Sequence, residues 1–236
     1  MSRHFSLAAA AIAGSTVAYA ANPAEFLVYN YDRYDNGIST DSNDLVGRLF
    51  VPANYDPNKS YPLVTFLHGN GERRSAEGGA GNTWQVNGNI DNLLKFAKSQ
   101  EFIIYAPQCW GGWGADHLNT IANQIAKLTT EYSVDQSRMY ITGLSLGGGG
   151  TMDIAGRYSH IFAAAVNICG VSGSDRTAAL ATLPIWMHHA RNDSVVDVNA
   201  SRNRVNNIRT AKGLPTVSFP AKNSTEFYYY DDGMLR

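Results

Sequence analysis

Three features of this chain could do chemistry together: a serine between glycines, a histidine-glycine turn upstream, and aspartates downstream. The serine is Ser145, in the run Tyr140-Ile141-Thr142-Gly143-Leu144-Ser145-Leu146-Gly147-Gly148-Gly149-Gly150. β-Branched and aromatic residues lead into Gly-x-Ser-x-Gly, small residues follow, and residues 151–157 are compatible with a helix. A strand, a tight turn and a helix in that order expose a serine Oγ on a strained backbone, ready to attack an electrophilic carbon. Glycine at Gly143 and Gly147 lets the strand and helix approach closely. N–H groups and the dipole at the helix start favour an oxyanion beside the serine, with Leu146 N–H as one donor. The bare motif also occurs in glycine-rich loops with an incidental serine. Its strand, its helix and a second motif upstream argue for a nucleophile here.

That second motif follows residues 61–67, a short apolar run read as a buried strand. It ends in His68-Gly69-Asn70-Gly71-Glu72-Arg73. A backbone N–H there, that of Asn70, would converge with the N–H of Leu146. Two donors aimed at a developing oxyanion are commonly the largest catalytic contribution, about 3–4 kcal/mol for each one removed. His68 reads as a group that orients the loop rather than one that carries protons. Glu72 and Arg73 read equally as an ion pair pinning the loop and as solvated charges.

Downstream, the strand-like Ile185-Trp186-Met187-His188 is followed by His189-Ala190-Arg191-Asn192-Asp193-Ser194-Val195-Val196. A carboxylate just past the strand that follows the serine turn stands where a triad acid belongs, in the order Ser, Asp, His. Asp193 is the choice and Asp197 the fallback. Alone, Asp193 would read as a loop cap; its place in the strand order makes it the acid. The base is the difficulty. The chain has six histidines, His4, His68, His117, His160, His188 and His189, and none follows Asp193. A serine without an adjacent base is a poor nucleophile near neutral pH.

The elements that must position these groups alternate along the chain. Residues 25–31 and 44–51 read as an antiparallel opening pair around a polar turn at 32–43. Strands are expected at 61–67, 102–106, 138–142, 162–168, 183–188 and 226–230. Helices are expected at 90–98, 118–132, 151–157 and 200–209. The clearest of these is 118–132, where Leu118, Ile121, Ile125 and Leu128 share one face. This alternation from residue 61 onward predicts an α/β fold, a mostly parallel central sheet with helices on both faces. Ligands in such sheets bind beyond the carboxyl ends of the strands, the edge that holds Ser145 and the His68 turn.

Composition narrows the function classes. The 236 residues, 44% hydrophobic and 17% charged, suit one globular domain with a sizeable core. A formal net charge of -1 without a basic block gives no support for nucleic-acid or membrane-surface binding. A weakly basic start, an apolar alanine-rich run from Phe5 and the ending Ala18-Tyr19-Ala20 read as a signal peptide over residues 1–20. One domain over 21–236, secreted or periplasmic, is therefore expected. Cys109 and Cys169 are equally open to pairing and to being two buried thiols. Neither has metal-ligand spacing, and no metal or organic cofactor is implied. Trp84, Trp110 and Trp113 lie in Gly-rich loops near the strand ends. Their faces could stack on a flat acyl or sugar group, or simply pack within the loops.

These motifs together resemble the secreted α/β-hydrolase esterases that include feruloyl esterases, acetylxylan esterases, polyhydroxybutyrate depolymerases and the predicted peptidases. The likeness runs from about Leu45 to Gly233. It is carried by residues 62–73, by Tyr105-Ala106-Pro107-Gln108-Cys109, by residues 138–154 and by residues 185–196. It implies the α/β-hydrolase fold and a serine hydrolase that cleaves carboxylic esters through an acyl-enzyme, on a small ester or an acylated polysaccharide. In that group the last strand runs into a Gly-His turn whose histidine is the base. Here Phe227-Tyr228-Tyr229-Tyr230-Asp231-Asp232-Gly233 leads to Met234 instead. The chain thus reads as a C-terminally shortened esterase without its final His loop and closing helix, its last strand an exposed and poorly soluble apolar face. An inactive hydrolase-fold binding protein is the second reading. A substitute base, His189 or His117, is the third, and a peptidase on the same fold is a further alternative.

Overall fold

A computed structural model describes residues 25–31, 45–73, 88–170, 176–219 and 227–230. The sheet has eight strands in the order β1-β2-β4-β3-β5-β6-β7-β8. They are β1 (Leu27–Val28), β2 (Val46–Phe50), β3 (Tyr61–Leu67), β4 (Ile103–Gln108), β5 (Val134–Leu144), β6 (Ala164–Ile168), β7 (Ile185–Ala190) and β8 (Phe227–Tyr230). The helices are α1 (Gly88–Gln100), α2 (Ala115–Glu131), α3 (Leu146–Arg157), α4 (Thr177–Leu180) and α5 (Asn199–Ala211). β3 to β7 pair in parallel. β1 and β2 add an antiparallel edge through β4. This is the α/β-hydrolase fold that the motifs imply.

Period-two burial explains the layering. On β3, Leu63 and Leu67 enter one core cluster while Phe66 enters another. On β4, Ile103 and Tyr105 separate in the same way from Ile104 and Ala106. The first cluster takes in Leu118, Ile121, Ile125 and Leu128 of α2; the second takes in Ile90, Leu94 and Ala97 of α1. β3 and β4 thus pack on both faces, as central parallel strands do, and α1 and α2 cover opposite sides.

Three elements differ from expectation. α3 begins at Leu146, directly after the serine, so all four glycines of the Gly147–Gly150 run are helical. Glycine's poor helix propensity hides this in the sequence, and packing overrides it. α4 lies between β6 and β7 and is only four residues long, too short to leave a periodic signal. Finally, β8 is antiparallel to β7, with Ala190 opposite Phe227 and Met187 opposite Tyr230. Its C-terminal end therefore lies toward the start of the parallel strands, away from Ser145. β8 occupies the sheet edge, and an edge strand can satisfy its single neighbour in either direction. Among the described residues, no helix is long and apolar enough to cross a membrane.

Candidate active site

Ser145 sits between the last residue of β5 and the first of α3, with φ 55° and ψ -114°. A positive φ is costly for a side-chain-bearing residue, and the surroundings hold it there. Its N–H donates to Ile168 O at 2.8 Å, and its C=O accepts from Gly149 N–H at 3.1 Å. The neighbouring glycines are obligatory for space. A Cβ on Gly143 would come within 2.8 Å of Leu67 O, and one on Gly147 within 2.6 Å of His68 O. The elbow is thus pressed against the end of β3, where the second motif begins. Among the described residues, no histidine hydrogen-bonds the Ser145 hydroxyl.

The turn after β3 is fixed from several sides. His68 is buried, and its Nε2 accepts the N–H of Cys109 at 3.1 Å. Nδ1 therefore carries the proton and donates to Gly69 O at 2.8 Å. Burial lowers the His68 pKa to about 4, so the ring stays neutral and holds the loop. Asn70–Glu72 forms a single 3-10 turn. Glu72 is buried, and its Oε2 accepts Gly69 N–H at 2.7 Å. Gln108 Nε2 donates to Glu72 O at 2.8 Å. Arg73 Nε donates to Asn70 O at 3.0 Å. Glu72 and Arg73 therefore pin the loop separately, each through a backbone group. Gly69 lies beside the serine: a Cβ there would be 3.9 Å from Ser145 Cβ. The Asn70 N–H, at the start of its turn, and the Leu146 N–H, at the start of α3, are left without an intrahelical acceptor, as first-turn donors are.

Asp193 lies just past β7. Its Oδ1 accepts the N–H groups of Val195 and Val196, both at 2.9 Å. Its Oδ2 is 3.4 Å from His189 Nε2. The carboxylate therefore caps its own loop through one oxygen and faces His189 with the other. Asp197, the fallback, caps Asn199 N–H at the start of α5. His189 is buried, with Nδ1 2.8 Å from Ser201 Oγ and Nε2 3.0 Å from Val196 O. Both ring nitrogens are committed, Nε2 to the Asp193 loop and Nδ1 to α5. His117 is also buried, with Nδ1 2.8 Å from Gly112 O. His188 stacks on Trp186 with ring centres 4.3 Å apart, and burial lowers its pKa to about 4.

The tryptophans separate. Trp84 lies outside the described residues. Trp110 is partly exposed in the loop after β4. Trp113 is only 6% exposed, so its indole packs inside the molecule. Both cysteines are free thiols.

Two residues that shape the site carry little sequence signal. Cys169, directly after β6, holds φ 40°. Its N–H donates to His188 O at 2.7 Å. Burial raises its thiol pKa, the Ser145 backbone N–H opposes that, and the Asp193 charge adds to it. The thiol thus feels both the Ser145 backbone and the Asp193 carboxylate. Buried Asn167 gives its Nδ2–H to Gly148 O at 2.8 Å and accepts Gly170 N–H at 2.9 Å, tying α3 to the loop after β6. Only the strand position of Asn167, a polar residue within an apolar run, hinted at it.

Parts of this chain are similar to known proteins. The prolyl oligopeptidase family profile matches residues 104–216. The chain is 25% identical over 174 residues to the bifunctional acetylxylan esterase/xylanase XynS20E of Neocallimastix patriciarum, covering 71% of this chain and 24% of that protein. It is 26% identical over 161 residues to the poly(3-hydroxybutyrate) depolymerase of Ralstonia pickettii, covering 62% of this chain and 33% of the relative. The chain thus spans about a quarter to a third of those curated relatives. A thermostable esterase of known crystal structure superposes with a TM-score of 0.68 at 30% identity, covering 84% of this chain and 54% of that one. The fold and these likenesses agree with the resemblance that the motifs carry, to esterases of the α/β-hydrolase fold.

Proposed function

We propose that the chain is a serine carboxylic-ester hydrolase acting through an acyl-enzyme. Ser145 Oγ attacks the ester carbonyl, and the N–H groups of Asn70 and Leu146 receive the oxyanion. Asp193 is placed to orient and charge-stabilise an added imidazole, which takes the serine proton in place of a histidine of the chain. The observation that carries this reading is the strained Ser145 pressed against a turn whose neighbouring carbonyls and N–H groups are already occupied. A site prepared in this way stabilises charge without reorganising during the reaction. The described residues offer no base at Ser145, so turnover by this chain is expected to be weak and to rise when imidazole is supplied. Acyl groups on plant polysaccharide are the proposed substrate class, by likeness to the acetylxylan esterase. The apolar N-terminal run ending in Ala18-Tyr19-Ala20 supports export.

The test is p-nitrophenyl acetate hydrolysis by the chain and by Ser145→Ala, each with and without imidazole. A Ser145-dependent rate that grows with imidazole is the expected result. No difference between the two proteins under any condition overturns the reading and favours a binding protein that keeps only the cleft. The match to the prolyl oligopeptidase family supports a second reading, the same serine acting on amides. A Ser145-dependent rate on a p-nitroanilide exceeding that on the ester would select it.

A further inference from the structure

Trp113 touches both halves of the proposed oxyanion site. Its Nε1–H donates to His68 O at 3.1 Å. Its ring lies over the His68 imidazole, centres 4.7 Å apart and planes tilted 50°. On the other side it meets α3: a Cβ on Gly150 would fall 2.6 Å from Trp113 Cγ. Gly150 lies one turn after Leu146, so the indole rests on the first turn of the helix that supplies the second donor. His117 closes the far edge, its ring 6.5 Å from the indole at 78°, and fixes Gly112 O.

We infer that Trp113 is a positioning residue that sets the spacing between the Asn70 and Leu146 N–H groups. The inference rests on the esterase reading of Ser145. The two donors belong to separate elements, the turn after β3 and the start of α3. An oxyanion requires both within a few tenths of an ångström of one point. A rigid, buried indole keyed to His68 O on one side and to a glycine of α3 on the other transmits the position of one to the other. Its burial removes it from the substrate face.

The test uses Trp113→Phe, which keeps a ring and loses the N–H, and Gly150→Ala, which keeps the N–H and pushes the ring away. Each is expected to lower kcat for p-nitrophenyl acetate about 10- to 100-fold with KM unchanged within about twofold, as small misplacements near reacting atoms do. Amide hydrogen exchange should quicken at residues 68–72 and 145–150 together in both variants and stay unchanged in β4. In a Trp113→Ala background, Gly150→Ala should add less than about a twofold further loss, because the clash has gone. Faster exchange at one segment only, or a rise in KM with kcat unchanged, overturns the inference. All rates are measured with imidazole supplied, and absence of Ser145-dependent turnover in the parent chain under that condition overturns the esterase reading instead. The exchange pattern still decides whether Trp113 couples the two segments.

Discussion

The two ends of the site are built differently. Around β3 and β5, Ser145, His68 and Glu72 are held by buried side chains, glycine contacts and paired backbone groups. Around β7 and β8, Asp193 sits on a loop beside Val195, which is 88% exposed. β8 is antiparallel there, and no described histidine hydrogen-bonds Ser145. The first region is prepared before any substrate arrives. The second holds a carboxylate ready but leaves the proton carrier open. On the proposed esterase reading, stabilising the oxyanion and carrying the proton are separable, and variants in the two regions should fail in different ways.

The largest effect should come from the acid. Asp193→Asn is expected to lower the imidazole-assisted, Ser145-dependent rate, by up to about 10⁴-fold where the imidazole is held against Asp193 as a triad histidine is. Its urea midpoint should shift little, because an asparagine Oδ1 can keep the two loop N–H bonds. Equal loss of stability and activity would make Asp193 only a loop cap. Gly147→Ala should act through folding, costing more than about 4 kcal/mol by urea denaturation, since its Cβ would meet backbone carbonyls that cannot yield. A mild effect would mean the elbow is looser than described.

His68 makes the prepared region sensitive to acid. Its folded pKa is about 4, against 6.5 for the free side chain. At pH above 6.5 both states are neutral and its contribution is intact. As pH falls from 6.5 toward 4, the unfolded chain takes up a proton that the native one resists, so stability drops by up to about 3 kcal/mol. Urea midpoints across that window should show the loss, and His68→Asn should reduce it, leaving the share that buried His188 contributes over the same range. Glu72→Gln comes next, at about 1–3 kcal/mol, by weakening the acceptor for a buried N–H. The smallest effect belongs to the other region: Val195→Ala should stay within about 0.5 kcal/mol. A large loss there would erase the contrast.

Much of this was legible in the sequence because it depends on local pattern. The period-two runs and the α2 stripe reported the layers, and Gly143-x-Ser145-x-Gly147 reported the elbow. What was hidden depends on contacts between distant residues. The helical glycines of α3 contradict their own propensity until Trp113 is seen resting on Gly150. Trp113 reads as a platform or as loop packing until its burial decides for packing. The direction of β8 has no local signature, since an edge strand reads the same either way.

The central claim is that Ser145 is a nucleophile beside ready oxyanion donors. Labelling with a fluorophosphonate, followed by peptide mass spectrometry, tests it most directly, because the phosphonyl oxygen occupies the same donor site. A covalent adduct on the peptide containing Ser145, lost in Ser145→Ala and accelerated by imidazole, is the predicted result. No adduct at Ser145 with imidazole present, or an adduct on another residue that persists in Ser145→Ala, would contradict it.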